Sequence, residues 1–206
     1  MNPCRLCSTL PPVSPANSAG YREPTKNLVM RLVFLSSLLL LGSCGYSVRL
    51  PYIYEGDAGQ ELQAGETGNF MFFTNDARAD SGIALLAGMD YDIAIAVLSN
   101  WTDGNIDTNE NGDPLDITGF ADSLMPGFVP NALKRSDAHR WFELMLYQDN
   151  CPGESLRGIT QLPFAPATGL YTYRAFCSGK LSMHVNDAWG FYNNNAGYAN
   201  VSITRH

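Results

Sequence analysis

Apolar and polar residues alternate with a period of two along most of the chain after residue 69. Residues 180–186 show this most clearly, because Leu181, Met183 and Val185 share one face and polar residues occupy the other. Successive side chains of a β-strand point to opposite faces, so the alternation predicts half-buried strands. The same pattern predicts further strands at residues 69–74, 83–86, 90–99, 139–147, 170–176 and 198–204.

No segment shows a sustained helical period, and clusters of Gly, Pro and Asn separate the predicted strands. Many short strands joined by polar turns are typical of antiparallel sandwiches and barrels. Two facing sheets would bury the Ile, Leu, Val and Phe side chains of these strands. The sequence therefore predicts an all-β fold, an antiparallel β-sandwich or barrel.

An apolar run precedes the predicted strands. It begins at Met30 with one basic residue, continues through a Leu-rich stretch and ends in Leu41-Gly42-Ser43-Cys44. A permanent membrane helix needs about 20 apolar residues, so this shorter run fits the hydrophobic region of a secretory signal peptide. Its last four residues resemble the lipobox of bacterial lipoproteins, in which cleavage leaves the cysteine lipidated. The alternative is an ordinary signal peptide with a chance cysteine.

These features predict four parts of the chain. Residues 1–29 are a start-site artefact or a disordered extension, and residues 30–43 are the signal peptide. Residues 44–68 hold the lipidated Cys44 and a Gly-rich tether, and residues 69–206 form the sandwich. The expected location is that of an exported bacterial lipoprotein, anchored through its lipid at the outer membrane or cell surface.

The net charge restricts the classes of binding partner, and the positions of the cysteines indicate how they are used. The net charge of −7 disfavours nucleic acid, whose phosphates need a basic patch, and is compatible with a bound cation. Two of the five cysteines lie upstream of the predicted cleavage site, and Cys44 is the lipidation site. Cys151 and Cys177 remain, and in an exported protein they predict a disulfide. Two free buried thiols are the alternative.

Residues 186–197 join two predicted strands and contain a dense set of oxygen donors. Asp187 offers a carboxylate, Asn194 and Asn195 offer amide oxygens, and Phe191 offers a backbone carbonyl. Ca²⁺ takes six to eight such hard oxygen ligands. A loop of this length can bring them together and leave ligand positions for hydroxyls from outside. The alternative is a polar hairpin turn whose aromatic residues close the end of the core.

The segment Asn-Asp-x-x-Gly-x-Tyr-x-Asn-Asn-x-Gly, from residue 186 to residue 197, resembles the calcium loop of LecA-type bacterial galactophilic lectins. A weaker similarity extends over residues 69–204. The resemblance implies a small antiparallel β-sandwich of two sheets, jelly-roll-like and galactose-binding-domain-like, that binds Ca²⁺ as its cofactor. In that family two sugar hydroxyls coordinate the ion directly, so the implied partner is a glycan.

Carried over by position, the implied ion ligands are Asp187, Asn194 and Asn195 through side chains, Phe191 through its carbonyl, and a carbonyl after Trp101, nearest to Gly104. Asp187, Asn194 and Asn195 would also hydrogen-bond the sugar. The family's histidine and glutamine of the middle loop are missing at residues 129–132, and Trp189 replaces the usual proline. Trp189 is expected to stack on a sugar face. The implied saccharide is therefore galactose-type or another sugar.

A second acidic segment contains Asp107, Asn109, Asn111 and Asp113, with Gly112 between the last two. The pattern Asp-x-Asn-x-Asn-Gly matches the first half of an EF-type calcium loop. Position twelve is Thr118 in place of the bidentate Glu. A second calcium loop and a solvated acidic loop both stay open as interpretations.

Catalytic motifs are missing from the sequence, which lacks Gly-x-Ser-x-Gly, His-Glu-x-x-His and a Gly-rich phosphate loop. The predicted function is therefore a non-catalytic, calcium-dependent, lectin-like lipoprotein. The alternative is a structural or partner-binding surface lipoprotein that keeps the fold but not sugar binding. A hydrolase would need a convergent acid–base pair, and nothing in the sequence places Glu143 and Glu154 together.

Overall fold

The alternating segments form the strands of the fold. The computed structural model describes residues 58–127, 129 and 133–206. Within these residues the strands are β1 (Gln60–Glu61), β2 (Thr67–Phe73), β3 (Ala79–Leu85), β4 (Asp90–Val97), β5 (Thr102–Asp103), β6 (Leu144–Gln148), β7 (Arg157–Gly158), β8 (Phe164–Ala165), β9 (Leu170–Arg174), β10 (Gly179–Val185), β11 (Asn195–Ala196) and β12 (Tyr198–Arg205). One helical turn, α1, spans Pro152–Ser155, and 3₁₀ turns span Asp122–Leu124, Ile159–Gln161 and Tyr192–Asn194.

Two five-stranded sheets face each other. One has the order β1-β3-β10-β6-β7, and the other has the order β2-β12-β4-β9-β8. Within both sheets neighbouring strands run antiparallel, except that β1 runs parallel to β3. The described residues therefore confirm the predicted all-β antiparallel sandwich.

The core lies between these sheets, where the alternation predicted it. Phe72 of β2 and Val201 of β12 are fully buried from one side, and Leu146 of β6 and Met183 of β10 are fully buried from the other. Along β12 the inward residues are buried while the outward ones stay partly exposed. Removal of this apolar surface from water is the main stabilisation of the fold.

Strands β6 and β10 differ from the prediction, because both of their faces are buried. The polar face of β10 includes Ser182 and His184, which are 0 % and 2 % exposed. Burial lowers the pKa of His184 well below its ordinary value, and the charges of Arg135 and His139 lower it further. The segment that carries Arg135 and His139 lies beside the end of β10, because the side chain of Asn186 donates to the carbonyls of Ser136 and Arg140 (2.9 Å each).

The strand predicted at residues 139–147 is wrong in its first half, because β6 begins only at Leu144. Phe142 has a φ of 61°, a left-handed conformation that an extended strand cannot contain. Its ring instead packs edge-on against Trp101, with ring centroids 6.1 Å apart. The backbone here still bonds beyond the end of β10, because the N–H of Phe142 donates to the carbonyl of Asn186 (2.9 Å) and the N–H of Asn186 donates to the carbonyl of Glu143 (2.8 Å).

The connection from residue 100 to residue 136 is ordered by pairing wherever it is described. Isolated bridges join Trp101 to Leu115 and Phe120 to Trp141, and β5 pairs with β11 in a separate two-stranded sheet. Trp101, Phe120 and Trp141 are fully buried. These aromatic residues anchor the connection in the core, and the pairing of β5 with β11 places Asp103 beside the 186–197 loop.

Cys151 and Cys177 form the predicted disulfide, with Cα atoms 6.4 Å apart. The predicted extension 1–29, the signal peptide 30–43 and Cys44 lie outside the described residues. Strand β1 lies inside 44–68, the segment predicted as a tether, and Gln60 and Glu61 pair there with β3. No helix among the described residues is long and apolar enough to cross a membrane.

Candidate cation and ligand site

The two-stranded sheet of β5 and β11 brings together an aspartate and an asparagine that lie far apart in the chain. Asp103 of β5 lies directly opposite Asn195 of β11. Beside this pair, the N–H of Gly104 donates to the carbonyl of Asn194 (3.1 Å). The side chain of Asn194 donates to Oδ1 of Asp103 (2.9 Å). Residues 91 positions apart in the chain therefore form one polar cluster.

Gly197 allows the loop to end against Trp101. Its φ is +134°, which L side chains rarely adopt, and an added Cβ would lie 2.5 Å from Cδ1 of Trp101. Its carbonyl accepts the N–H of Thr74 (3.0 Å). Glycine at this end of the motif therefore permits close packing of the loop on the residue that precedes β5.

Asp187 lies directly beyond β10 and is only 2 % exposed. Its Oδ1 accepts the N–H of Ala188 (2.6 Å), and its Oδ2 accepts the amide of Asn195 (3.0 Å). The same Asn195 amide donates to the carbonyl of Thr74 (3.2 Å). The loop therefore folds back so that Asp187 and Asn195 meet.

Two oxygen atoms of the cluster have no protein donor. Asp103 Oδ2 and Asn195 Oδ1 are both buried, and neither has a hydrogen-bond partner among the described residues. Buried polar atoms are nearly always paired in native proteins, because an unpaired one carries a desolvation penalty. Both atoms are acceptors, and they belong to residues that face each other across the β5–β11 ladder. A bound cation would satisfy both of these acceptors.

The electrostatics of the cluster agree with this interpretation. Burial raises the pKa of Asp103 to about 7, and the nearby charge of Asp187 adds to the rise. Burial also raises the pKa of Asp187, against the hydrogen bonds from Asn195 and Ala188. Two buried carboxylates are thus held close together, and the ionised form of each is disfavoured until a positive charge joins them.

The structure brings most of the predicted ligands together. Asp187 and Asn195 contact each other, while Asn194 contacts Asp103. The carbonyl of Phe191 accepts the N–H of Asn194 (3.1 Å), which holds it at the same turn. Gly104 lies beside Asn194, because a Cβ added at Gly104 would lie 3.2 Å from the side-chain Nδ2 of Asn194.

Asp103 is the member of the cluster that the sequence analysis missed. It lies two residues after Trp101, at the start of an acidic stretch, so nothing in its spacing distinguished it from Asp107 or Asp113. Only its pairing with Asn195 reveals its place. The available signal was its position directly before Gly104, the residue nearest to the predicted carbonyl ligand.

These residues fit a hard divalent cation. No group of three or more His, Cys, Asp or Glu side chains lies together in the part of the chain that the structure describes. The donor set is instead two carboxylates with amide and carbonyl oxygens. Such oxygen ligands suit Ca²⁺, whereas the soft thiolate and imidazole ligands preferred by zinc are missing from this cluster.

An aromatic platform lies beside the cluster. Trp189 is 54 % exposed, and its ring centroid is 6.5 Å from that of the buried Tyr192. The guanidinium carbon of Arg135 lies 4.0 Å from the centre of the Trp189 ring. The hydroxyl of Tyr192 donates to the carbonyl of Val185 (2.6 Å). Trp189 is therefore a surface indole with a fixed cation against one of its faces.

The second predicted calcium loop is arranged differently. Oδ1 of Asn109 accepts the backbone N–H groups of Asn111 (2.9 Å) and Asp113 (3.1 Å). Glu110 is bound by Nη2 of Arg140, at 2.7 Å to each carboxylate oxygen. Asp107, Asn111 and Asp113 are exposed. The loop thus uses its amide oxygen to cap its own backbone, and its ion binding stays a prediction.

A polar cleft of about 540 Å³ opens elsewhere on the domain, lined by residues that include Asp122, Lys134, His139, Glu143 and Thr160. Lys134 pairs with Asp122 (2.7 Å). Glu143 is 1 % exposed and accepts the N–H groups of Thr160 and Arg140 (3.1 Å each). Glu154 does not line this cleft and is exposed on α1. The geometry therefore assigns Glu143 a structural role and supplies no acid–base pair with Glu154.

No protein-family model and no curated protein matches the chain. Among solved structures the chain is similar to one described as "EclA N-terminal domain; PllA-like lectin". The two share 19 % sequence identity with a TM-score of 0.41, and the match covers 67 % of this chain and 95 % of that chain. At this identity and TM-score the likeness is too distant to carry an argument about function.

Proposed function

We propose that this chain binds carbohydrate through a calcium ion held at the β5–β11 sheet. The observation that supports it is the pair of buried acceptor oxygens without a protein donor, Asp103 Oδ2 and Asn195 Oδ1, next to the carboxylate of Asp187. Asn194 and the carbonyls of Phe191 and Gly104 complete the proposed donor set. Asp103 is added to the ligands predicted from the sequence.

The proposed role of each group follows from its chemistry. Asp103 and Asp187 would neutralise the charge of Ca²⁺, which relieves the raised pKa of both carboxyls. The six proposed protein ligands leave up to two of the six to eight ligand positions of Ca²⁺ open, and sugar hydroxyls would fill these. Trp189 would pack against the apolar face of the same sugar ring.

The test combines calcium, chelator and one variant. Glycan-array binding by the wild-type protein is expected in Ca²⁺ and is expected to disappear in excess EDTA. Asp187→Ala is expected to abolish binding in both conditions, because it removes a buried ligand. Glu154→Ala, which removes one exposed carboxylate on α1, serves as the matched control and is expected to bind normally. Wild-type binding that persists in EDTA would refute the calcium mechanism.

A partner-binding lipoprotein remains the second candidate, and exposed apolar side chains favour it. Phe73 and Tyr198 are cross-strand neighbours that are 48 % and 38 % exposed, and Leu98 beside them is 52 % exposed. This candidate predicts that Ca²⁺ raises the melting temperature while no sugar raises it further. A sugar-dependent increase in the melting temperature of the calcium-loaded protein would exclude it.

We also propose export and lipidation at Cys44. The disulfide Cys151–Cys177 supports export, because disulfides persist in oxidising compartments. Labelled palmitate is expected to be incorporated into the wild-type protein and not into Cys44→Ser. Equal labelling of both proteins would contradict the assignment of Cys44.

A further inference from the structure

Arg135 lies beside the candidate site and is held in place by uncharged partners. Its Nη1 donates to the carbonyl of Ala77 (2.6 Å) and to the hydroxyl of Tyr192 (3.0 Å). The indole of Trp189 covers one face of the guanidinium, at 4.0 Å from ring centre to Cζ. Contacts with Ala77 and with two aromatic residues of the 186–197 loop therefore fix the orientation of this cation.

The opposite edge of the guanidinium has no hydrogen-bond acceptor in the part of the chain that the structure describes. Among the described residues, Nε and Nη2 of Arg135 donate to no protein atom, and neither is one of the buried atoms without a partner. Nε and Nη2 form the edge that binds a carboxylate through two parallel N–H···O bonds. Because Nη1 is already bonded, this edge is oriented before a ligand arrives, which lowers the entropic cost of binding.

Asp187 is an acidic residue in direct contact with Arg135, because the backbone N–H of Arg135 donates to the carbonyl of Asp187 (3.2 Å). The carboxylate of Asp187 already accepts from Ala188 and Asn195. Among the described residues no carboxylate forms an ion pair with Arg135. With Ca²⁺ balancing Asp103 and Asp187, Arg135 would therefore be a positive charge available to a ligand.

We infer that the saccharide bound at this site carries a carboxylate, as uronic acids do, and that Arg135 binds that carboxylate. The inference rests on the proposed function, because it names the class of saccharide for the same site. Calcium takes the hydroxyls, Trp189 packs on the ring, and Arg135 selects the acidic substituent. The chain's net charge of −7 repels anions at long range, so the selectivity comes from this short-range contact.

The first experiment compares sugars that differ only in the carboxylate. Binding of the full chain, saturated with Ca²⁺, is measured by calorimetry with methyl galactopyranoside and methyl galactopyranosiduronate. The corresponding glucose and glucuronate pair is measured in the same way. At least one acid is expected to bind about ten-fold or more tightly than its neutral partner, since hydrogen bonds between charged groups are the strong ones. The preference is expected to fall as salt is added.

Variants then assign the preference to Arg135. Arg135→Met removes the charge and is expected to bring the acid-to-neutral affinity ratio close to one. Arg135→Lys keeps the charge but loses the two-pronged edge, so an intermediate ratio is expected. Arg174→Met is the matched control. Arg174 forms an ion pair with Asp90, which lies at the end of β4 that is farther from β5, and its side chain is 68 % exposed. It is expected to leave the ratio unchanged.

The outcomes distinguish a failure of this inference from a failure of the proposed function. Equal affinity for acid and neutral sugars, or a preference for the neutral sugars, overturns the inference and leaves the proposed function intact. An unchanged ratio in a folded Arg135→Met overturns the role of Arg135. If neither kind of sugar binds the calcium-loaded protein, both proposals fail. The wild-type comparison decides the first question even if Arg135→Met does not fold.

Discussion

Two acidic regions of this molecule have similar composition but differ in the burial and hydrogen bonding of their acidic and amide side chains. In the β5–β11 cluster, the carboxylates of Asp103 and Asp187 are 5 % and 2 % exposed, and an acceptor oxygen of Asp103 has no donor. In the 107–113 loop the carboxylates are exposed, and Asn109 bonds to the loop's own backbone.

The difference teaches that burial, and not the density of acidic residues, distinguishes the proposed cation site from an ordinary acidic loop. In the 107–113 loop the carboxylates are open to solvent and backbone N–H groups satisfy the amide oxygen of Asn109. The β5–β11 cluster has excluded water from its acceptors without supplying enough donors, so a cation adds a favourable interaction there. Four predictions break or sharpen this comparison.

The largest effect is expected from Asp103→Asn. In wild-type protein, Ca²⁺ at 100 times its Kd is expected to stabilise by about 2.7 kcal/mol. For a domain of this size that corresponds to a rise in melting temperature of roughly 5–10 °C. Asp103→Asn is expected to abolish this rise and to raise the melting temperature of the calcium-free protein at pH 8, because it removes a buried charge.

Thermal melting with Ca²⁺ and with EDTA measures both parts of that prediction, and Asp113→Asn serves as the exposed control. A normal calcium response in Asp103→Asn would remove Asp103 from the ligand set. A fall in the melting temperature of the calcium-free variant would contradict the view that Asp103 is buried at an electrostatic cost.

The next effect is the pH dependence of the calcium-free protein. Burial raises the pKa of Asp103 to about 7, whereas an unfolded chain has an aspartate pKa of about 3.9. Between these values the folded state binds more protons, so its free energy of unfolding falls as pH rises from about 4 to about 7. Denaturant melts in EDTA across this range measure the slope.

Asp103→Asn should flatten that slope, and saturating Ca²⁺ should flatten it in the wild-type protein. The same slope in wild type and variant would show that another group causes the pH dependence. A free energy of unfolding that rises steadily with pH through this window in wild-type protein, and equally in the variant, would contradict the raised pKa.

A smaller effect is expected from Asn109→Ala in the second region. The substitution removes two hydrogen bonds to backbone N–H groups, each worth about 0.5–1.5 kcal/mol when formed. Its partial exposure lowers that contribution, so we expect a modest fall in melting temperature. The rise produced by Ca²⁺ should stay the same, and a reduced rise would show that this loop contributes to ion binding.

The smallest effect is expected from the double substitution Asp107→Asn with Asp113→Asn. Exposed carboxylates away from special features change stability by about 0.5 kcal/mol or less. We therefore expect little change in stability. Because the proposed calcium site is the β5–β11 cluster, calorimetry is expected to give an unchanged number of bound calcium ions. A drop from two ions to one would show that the EF-like interpretation of the loop is correct and that burial is not required for binding here.

The strands illustrate how far the sequence predicts the fold. In β12 one face meets the core and the other remains partly exposed, so alternation revealed its position within one residue. In β6 both faces are covered, so the pattern alone did not show its start at Leu144. The left-handed backbone of Phe142 interrupts the predicted strand before Leu144. The ring of Phe142 contacts Trp101, which lies 41 positions away in the chain.

The candidate site shows the same division. Asp187 and Asn195 are eight residues apart in one loop, so their spacing was informative and the structure brings them together. Asp103 joins them only because β5 pairs with β11. Arg135 reaches Trp189 and Tyr192 through side-chain contacts that leave no periodic or spacing signal in the sequence.

The sequence by itself determined the all-β architecture, the cysteine pair and the loop that carries the oxygen donors, because strand alternation, cysteine parity and short spacings are local properties of a chain. The tertiary structure alone decided which acidic residues are buried and which oxygens lack a donor. Burial depends on what packs from distant segments, and it is burial that raises the pKa of Asp103 and of Asp187.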